Sequence, residues 1–538
     1  MPVFKRWFRE PSFPRTPLNG WRKLQSVPMK FFPLFRELLL RHSSRRIQRQ
    51  FWRLQWGRSV LSVWKQLKKL WALRFPCRKW QLWVMTCCKP LPPLNLRQKN
   101  KRMMLLRYLK LAYLIPEYRQ MERDRYFRND KRQLKGFEGM KKNRWNILWG
   151  TCLCLATVLL GQSYAAVKLG QSCALTGGTA FLGQQMHKGA TAYFDAHAGG
   201  DIELLVKDDG YEPDRCEENT EIFLREGVDA LFGYVGTPTS KVAVPLVNKN
   251  NVLFFGPFTG AGFLSDVKKN PNSFSVRASY DAEVENMMRH LKEDLGVTRI
   301  GIFVQRDAFG MAGVRAVVQA QELIKGIKVV PQIPALPGDE SSMDEWNAFW
   351  KGVPNYRRNT VSVGEAVRQV RGQAVDAVIL VGASRPCALA INQWHKMGFK
   401  VPMLNISFVG SGSLARRLKS TENVYISQVV PDPWDNSIPL VKEYQQDMGA
   451  DDYGFVSLEG YLNAKVLHNA ITRIQGEVTT AALKDAVESM SAFDAGGLEV
   501  TFGKEDHRGL DTVYLTKIVK SDNAIQFSYV DALSPPEK

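Results

Sequence analysis

From Val167 onward the chain alternates short apolar, β-rich runs with helical stretches, and that alternation admits few architectures. The runs are VKLGQSCAL, IELLVKDDG, DALFGYVG, VLFFGPFTG, RIGIFVQRD, DAVILVGA and VPMLNISFVG. Between them lie helix-like segments at Gln184 to His197, Arg215 to Glu226, Lys241 to Asn248, Ala282 to Leu295, Met311 to Lys325, Val363 to Arg371 and Pro386 to Met397. Strands separated by helices have room for parallel crossovers, and parallel strands need both faces covered. The pattern therefore predicts an α/β, doubly wound fold.

In an open α/β sheet, ligands bind beyond the carboxyl ends of the strands, where the N–H groups of the next helix point outward. Three such ends are rich in Gly, Thr and Ser: ALTGGTAFLG (174 to 183), GYVGTPTS (233 to 240) and GPFTGAG (256 to 262). Each alone is explained by turn-making and helix capping. Together, at successive strand ends, they predict a site whose hydroxyls and amides hold a carboxylate without a metal.

Ahead of this region stands MKKNRWNILWGTCLCLATVLLGQSYAA, residues 140 to 166. Lys141, Lys142 and Arg144, an uncharged and mostly apolar stretch from Ile147 to Leu160, and a polar exit at Gly161 to Tyr164 are the three parts of a secretory signal. The apolar part is short for a membrane span. Small residues at Ser163 and Ala165 predict cleavage after Ala165. A lipid anchor would need a cysteine at the end of the apolar run, whereas Cys152 and Cys154 lie inside it.

The net charge of +22 suggests a nucleic-acid partner until it is divided at Met140. Residues 1 to 139 hold 34 Lys+Arg against 7 Asp+Glu, leaving 40 against 45 for the remainder, which is mildly acidic. The basic segment carries 8 of the 14 tryptophans, 4 of the 41 glycines and no sustained helix or strand period. Three readings compete for it. A nucleic-acid arm lacks any finger, heptad or helix-turn-helix motif. A membrane-surface segment is interrupted by Pro28, Pro33, Pro90, Pro92 and Pro93. Translation from a start codon placed too early explains it best, because a signal peptide works at an N-terminus.

Cys173, Cys216 and Cys387 remain after the signal, too few and too scattered for a disulfide framework, with a single bridge left open. His187, His197, His290, His395, His468 and His507 make no H-E-x-x-H or paired zinc spacing. No G-x-S-x-G, helix-opening G-x-G-x-x-G or C-x-x-C occurs in this region, and GSGS (410 to 413) is a helix cap. Binding without catalysis, metal or cofactor is the expectation.

KLGQSCALTGGTAFLGQQMHKGATAYFD, KDDGYEPDRCEENTEIFL, GPFTG, QRDAFGMAG and FVSLEGYLNAKVL, in this order, resemble the periplasmic leucine/isoleucine/valine-type solute-binding proteins of ABC transporters. The resemblance covers roughly 167 to 530 and implies the type I periplasmic binding fold: two doubly wound Rossmann-like lobes, a three-crossing hinge, and closure on the ligand. Lobe 1 would take 166–279 and 434–500, and lobe 2 would take 280–433 and 501–530, with 531–538 as a tail. The crossings would be RASY (277 to 280), VVPDPW (429 to 434) and TFGKEDHRG (501 to 509). It further implies a periplasmic monomer that delivers a small solute to an ABC permease, or alternatively presents a loaded lobe to a membrane receptor or histidine kinase.

Carried over by position, the family's carboxylate anchors fall near Thr237 and Thr259 and its aromatic wall on Phe309, with Phe455 as a second candidate wall. Phe258, Tyr280 and Ser384 join the expected ligand-binding set. The acid that holds a ligand ammonium in amino-acid binders is replaced here by Ser407, so Asp281 or Glu459 would have to substitute, or the ligand has no amine. The stretch 337 to 360 is about 20 residues longer than the family connection and reads as a lip over the cleft, a docking surface, or a plain surface insertion. Terminal sequencing of the exported protein is expected to start at Ala166; a product that keeps any of residues 1 to 139 would overturn the start-site and cleavage readings together.

Overall fold

The computed structural model describes residues 166–338, 340–449, 452–521 and 524–535. The basic segment, the signal-like segment with its cleavage position, and the end of the C-terminal tail lie outside the described residues. The chain runs through β1 (Val167–Cys173), α1 (Ala180–His197), β2 (Ile202–Asp208), α2 (Pro213–Arg225), β3 (Ala230–Phe232), α3 (Thr237–Asn250), β4 (Leu253–Phe255) and β5 (Ser273–Phe274). It continues through α4 (Tyr280–Glu293), β6 (Arg299–Arg306), α5 (Ala308–Leu323), β7 (Lys328–Val329), α6 (Met343–Gly352), β8 (Asn355–Arg357), α7 (Gly364–Arg371) and β9 (Ala377–Val381). Then come α8 (Ser384–Lys396), β10 (Met403–Asn405), α9 (Ser411–Ala415), β11 (Val424–Gln428), α10 (Pro439–Met448), α11 (Phe455–Thr472) and α12 (Thr480–Glu488). The described chain closes with β12 (Phe493–Asp494), β13 (Glu499–Val500), β14 (Tyr514–Lys520) and β15 (Ile525–Tyr529).

The strands form two main sheets. The first is parallel throughout, in the order β2-β1-β3-β4-β5. The second has the order β15-β14-β11-β10-β9-β6-β7, with β8 paired to β6, parallel except where β14 meets β11 and β15. A short antiparallel pair, β12-β13, stands apart. All seven apolar runs are strands, and all seven helix-like segments are helices. The physical reason is visible in β9, AVILV, where every residue is buried because helices cover both faces. The antiparallel β14–β15 hairpin and β11 carry weaker sequence signals and extend the second sheet beyond the seven runs.

Strand ends are set by glycine. DALFGYVG reads as one extended run, but the ladder stops at Phe232 because Gly233 has φ 62°. The chain leaves the first sheet for the second after β5, leaves the second after β11, and returns to it between β13 and β14. At the first and third passages the strands touch, with Ser275 N–H donating to His507 O at 2.9 Å and Gly509 N–H to Ser275 O at 2.8 Å.

After the second passage, α10 and α11 return to pack on α1, so the late helices join the first sheet. Helix α11 is buried almost all round, as a core helix must be. It approaches α1 closely through two glycines: a Cβ on Gly189 would lie 1.8 Å from Ser457 O, and one on Gly460 would lie 2.3 Å from Met186 O. Cys173, Cys216 and Cys387 are buried and free, so the bridge left open by the sequence is not formed. Gly189→Ala is expected to destabilise the fold by about 1–3 kcal/mol through overpacking. Gly178→Ala, where a Cβ meets nothing within 4 Å, should stay within about 0.5 kcal/mol of the parent in the same denaturant titration.

Candidate functional site

The carboxyl ends of β3 and β4 are bound to each other before any side chain is considered. Phe258 N–H donates to Tyr234 O at 2.7 Å, and Gly236 N–H donates to Phe258 O at 3.2 Å. Gly236 has φ 107°, and a Cβ there would sit 2.2 Å from the Tyr211 ring, so only glycine suits this turn. The turn makes Thr237 the first residue of α3, whose N-terminus carries partial positive charge. Thr259 follows β4 at the same level. Their hydroxyls meet at 2.7 Å, both buried.

Hydroxyl bookkeeping shows what this pair lacks. One bond joins two hydroxyls, so one of the two protons is left over, whichever oxygen donates. Thr259 Oγ1 also accepts from Ala261 N–H at 3.3 Å. The Tyr280 hydroxyl is buried without a well-formed hydrogen bond, and Thr259 is the hydroxyl beside it. Two O–H donors therefore converge with no strong acceptor between them, which suits a carbonyl or carboxylate oxygen.

Beside them lies a charge cluster built on Arg277, which is 2% exposed. Its Nη2 donates to Glu283 Oε1 at 2.8 Å and also to Ser407 Oγ; its Nη1 reaches both oxygens of Glu459, at 3.3 and 3.4 Å. Ser407 donates its N–H to Glu283 Oε2 at 2.8 Å and its hydroxyl to Oε1 at 2.9 Å, and Ser427 donates to Oε2. The Phe258 and Tyr280 rings lie 5.3 and 5.7 Å from the guanidinium carbon. One guanidinium thus faces two carboxylates in a nearly dry site. Burial pushes Glu459 up to about 7, against the attraction of Arg277 and with the help of repulsion from Glu283.

Six of the expected ligand-binding residues fall into this one neighbourhood. Phe309, presented by the Asp307 cap of α5, lies 4.5 Å from Phe408 and 5.6 Å from Tyr280, and Phe258 lies 5.5 Å from Phe408. Thr237, Thr259 and Ser407 complete the group. Ser384 belongs elsewhere, its hydroxyl 2.9 Å from Ser413. Phe455 packs against Trp434 and Phe527 and lines a separate cavity of about 120 Å³ with Phe181, Gln185, Ser411 and Arg416. One helical turn along α11 from Phe455, Glu459 joins the charge cluster.

Of the two proposed substitute acids, Glu459 is therefore at the site. Asp281 is not: it lies against Gly262, with Arg508 as its charged neighbour. The residues that sequence reading missed are Arg277 and Glu283. A signal for Glu283 existed, because it falls on the buried stripe Tyr280, Glu283, Val284, Met287, Leu291, where an acid is out of place unless it is paired.

Among the described residues, one set of metal-type ligands converges: His197, Glu443 and Asp447. It is already closed by hydrogen bonds. His197 Nε2 meets Asp447 at 2.6 Å, Tyr461 OH lies 2.6 Å from Asp447 and 2.9 Å from Glu443, and Lys465 reaches Glu443 at 2.7 Å.

Residues 166–524 match the family of periplasmic binding proteins. Among solved structures, a possible leucine/isoleucine/valine-binding protein from Rhodopirellula baltica SH 1 is 31% identical, with a TM-score of 0.60 over 68% of this chain and 96% of that one. A substrate-binding periplasmic protein from Ralstonia solanacearum is 25% identical, with a TM-score of 0.56 over 65% and 97%. The branched-chain amino acid transporter substrate binding protein LivJ from Streptococcus pneumoniae, solved with isoleucine, shares the fold at 15% identity and a TM-score of 0.54, over 68% of this chain and all of that one. Leu/Ile/Val-binding protein homolog 2 of Brucella abortus is 29% identical over 126 residues, 22% of this chain; the match spans only 33% of that relative. The chain belongs to the periplasmic binding proteins of the leucine/isoleucine/valine-binding type, α/β proteins that bind solutes and are not enzymes.

Proposed function

We propose that this protein captures a small amino-acid-like solute between two lobes and delivers it to an ABC permease in the inner membrane. The lobes are 166–279 with 434–500, and 280–433 with 501–530, hinged at RASY, VVPDPW and TFGKEDHRG. The observation that carries the reading is the pairing, in one buried neighbourhood, of two O–H donors lacking a strong acceptor with two carboxyl groups that share one guanidinium. A carboxylate or amide oxygen completes Thr237, Thr259 and Tyr280. An ammonium group neutralises Glu459 and Glu283 beside Arg277. Ser407 stands where the family's acid is expected, and Glu283 brings a carboxylate to the Ser407 N–H from α4.

The solute is loaded in the periplasm after export. Among the described residues no helix is long and apolar enough to cross a membrane, which agrees with that placement. Closure takes place by a hinge motion on the microsecond-to-millisecond scale.

Calorimetry with leucine, isoleucine and valine, and with their keto acids, tests the assignment. Thr237→Ala or Thr259→Ala should each weaken binding by about 1.5–3 kcal/mol, the range for a hydrogen bond to a charged group, or roughly ten- to hundredfold. Undiminished binding in the double variant would refute the anchors.

The pH dependence has a defined sign. Glu459 titrates higher in the folded chain than in the unfolded one, so its contribution to ligand-free stability is present below the ordinary glutamate range and is lost as pH rises through about 7. An amino acid's ammonium remains charged over that interval and favours the carboxylate form. Leucine affinity is expected to rise between pH 6 and 8 in the parent protein and to stay level in Glu459→Gln. A keto acid that shows the same rise would remove the ammonium from the reading.

A further inference from the structure

Within the stretch 337–360, residues 343–357 enter the second sheet and the two that follow cross to the first. Helix α6 begins with a capping box in which Ser342 and Glu345 satisfy each other's backbone N–H groups. Phe349, Trp350 and Val353 are buried, and β8 adds to β6 in parallel register, Val304 to Asn355 through Arg306 to Arg357. The segment is therefore fixed to the second sheet from α6 to Arg357.

The two residues that follow face a turn at the end of β2. Arg358 Nη2 lies 2.7 Å from Glu212 Oε2, and Asn359 Nδ2 lies 2.7 Å from Glu212 Oε1, so consecutive residues occupy both oxygens of one carboxylate. Asn359, at φ 56°, also reaches Gly210 O at 3.1 Å and Tyr211 O at 3.4 Å. Asparagine tolerates this left-handed conformation better than most residues. Beneath these contacts runs a buried chain, with Tyr356 OH donating to Gln305 Oε1 at 2.9 Å and Gln305 Nε2 donating to Tyr211 OH at 3.2 Å.

The backbone of the receiving turn is fixed by bonds within its own sheet. Asp208 accepts from Leu175 N–H at 2.8 Å and Gly210 N–H at 2.9 Å, and Asp209 accepts from Tyr211 N–H at 2.8 Å. The Tyr211 ring packs on Gly236, next to Thr237. Burial works against the Glu212 carboxylate, yet Asn359 and Arg358 hold it below its usual range.

We propose that Arg358 and Asn359 form a latch that holds the two lobes closed by gripping the Gly210–Glu212 turn. Resting on the hinge reading above, it assigns to the 337–360 insertion the control of closure rather than contact with the solute. The latch suits reversible use. Arg358 and Glu212 are 25% and 43% exposed, so water replaces their bond at little cost when the lobes part. Arg358 also keeps Asp307, 3.8 Å away on its own lobe, as a resting partner.

Hydrogen exchange read by mass spectrometry on the ligand-free full chain tests the latch in Arg358→Ala, Asn359→Ala and the double variant. The informative amides are those of Ala261 and Ser407, which bond Thr259 and Glu283 within the cleft and touch neither altered residue. In the double variant they should exchange roughly ten- to hundredfold faster, the size of effect expected when several partly exposed hydrogen bonds are lost from one of two states. Amides of β9 should be unchanged, and Arg358→Lys, which keeps the charge, should fall between parent and Arg358→Ala. Faster exchange confined to 208–213 and 355–360, or shared equally by β9, would overturn the latch, the first showing a local tether and the second a weakened fold. Because no solute is present, failure of leucine, isoleucine and valine to bind would strike the solute assignment and leave this result standing.

Discussion

The guanidinium of Arg277 sits where the two halves of the fold need a common centre. Its partners arrive from separate elements: Glu283 from α4, Glu459 from α11, and Ser407 from the end of β10. Ser427 of β11 then braces Glu283. A buried ion pair is weak evidence for net stability, since its desolvation offsets much of its attraction. Removing one member is another matter, costing about 3–5 kcal/mol because the charge left behind has no compensation. The cluster therefore imposes position: strand ends from one sheet and helices packed on the other are held to one geometry.

Around this centre the aromatic rings set the strength of every polar contact. Phe258, Tyr280, Phe309 and Phe408 are buried and pack in a chain of ring contacts, keeping water from Thr237 and Thr259, which are buried too. In such surroundings the field of a carboxylate falls off slowly, and an unpaired hydroxyl or an excess charge becomes a strong preference for the group that completes it. The same dryness raises Glu459 toward neutrality, to about 7.

The sheet core was legible in the sequence, as was the gathering of hydroxyl-bearing strand ends that forms the candidate site. Runs such as AVILV and helices such as α1 announce themselves because burial on two faces and burial on one leave different periods. The hydroxyl-bearing turns GYVGTPTS and GPFTG also pointed to the site, since strand ends followed by helix starts have one place to go in an α/β sheet. Less legible were β8 and α6, inside a stretch rich in Asp, Glu, Ser and Arg, and the β14–β15 hairpin, whose alternation is broken by lysines. Arg277 was hidden for a further reason. A lone arginine at the edge of a helix cap is ordinarily solvated, and no local pattern tells that two carboxylates, one of them 182 residues away, will close over it.

The sequence by itself determined what depends on short-range patterning: the parallel α/β class, the glycine turns that end the strands, and the threonines that begin or precede helices. Those features follow from backbone sterics and from the need to bury apolar faces at fixed periods. The tertiary structure alone decided which of two acids joins the Arg277 cluster, separating Glu459 from Asp281, and that Glu283 meets Ser407 there. It also decided that Asn359 reaches Gly210 across 149 residues. Such choices depend on distances between elements that are remote in sequence, and electrostatic energies vary with those distances and with burial, neither of which is written in any local stretch of the chain.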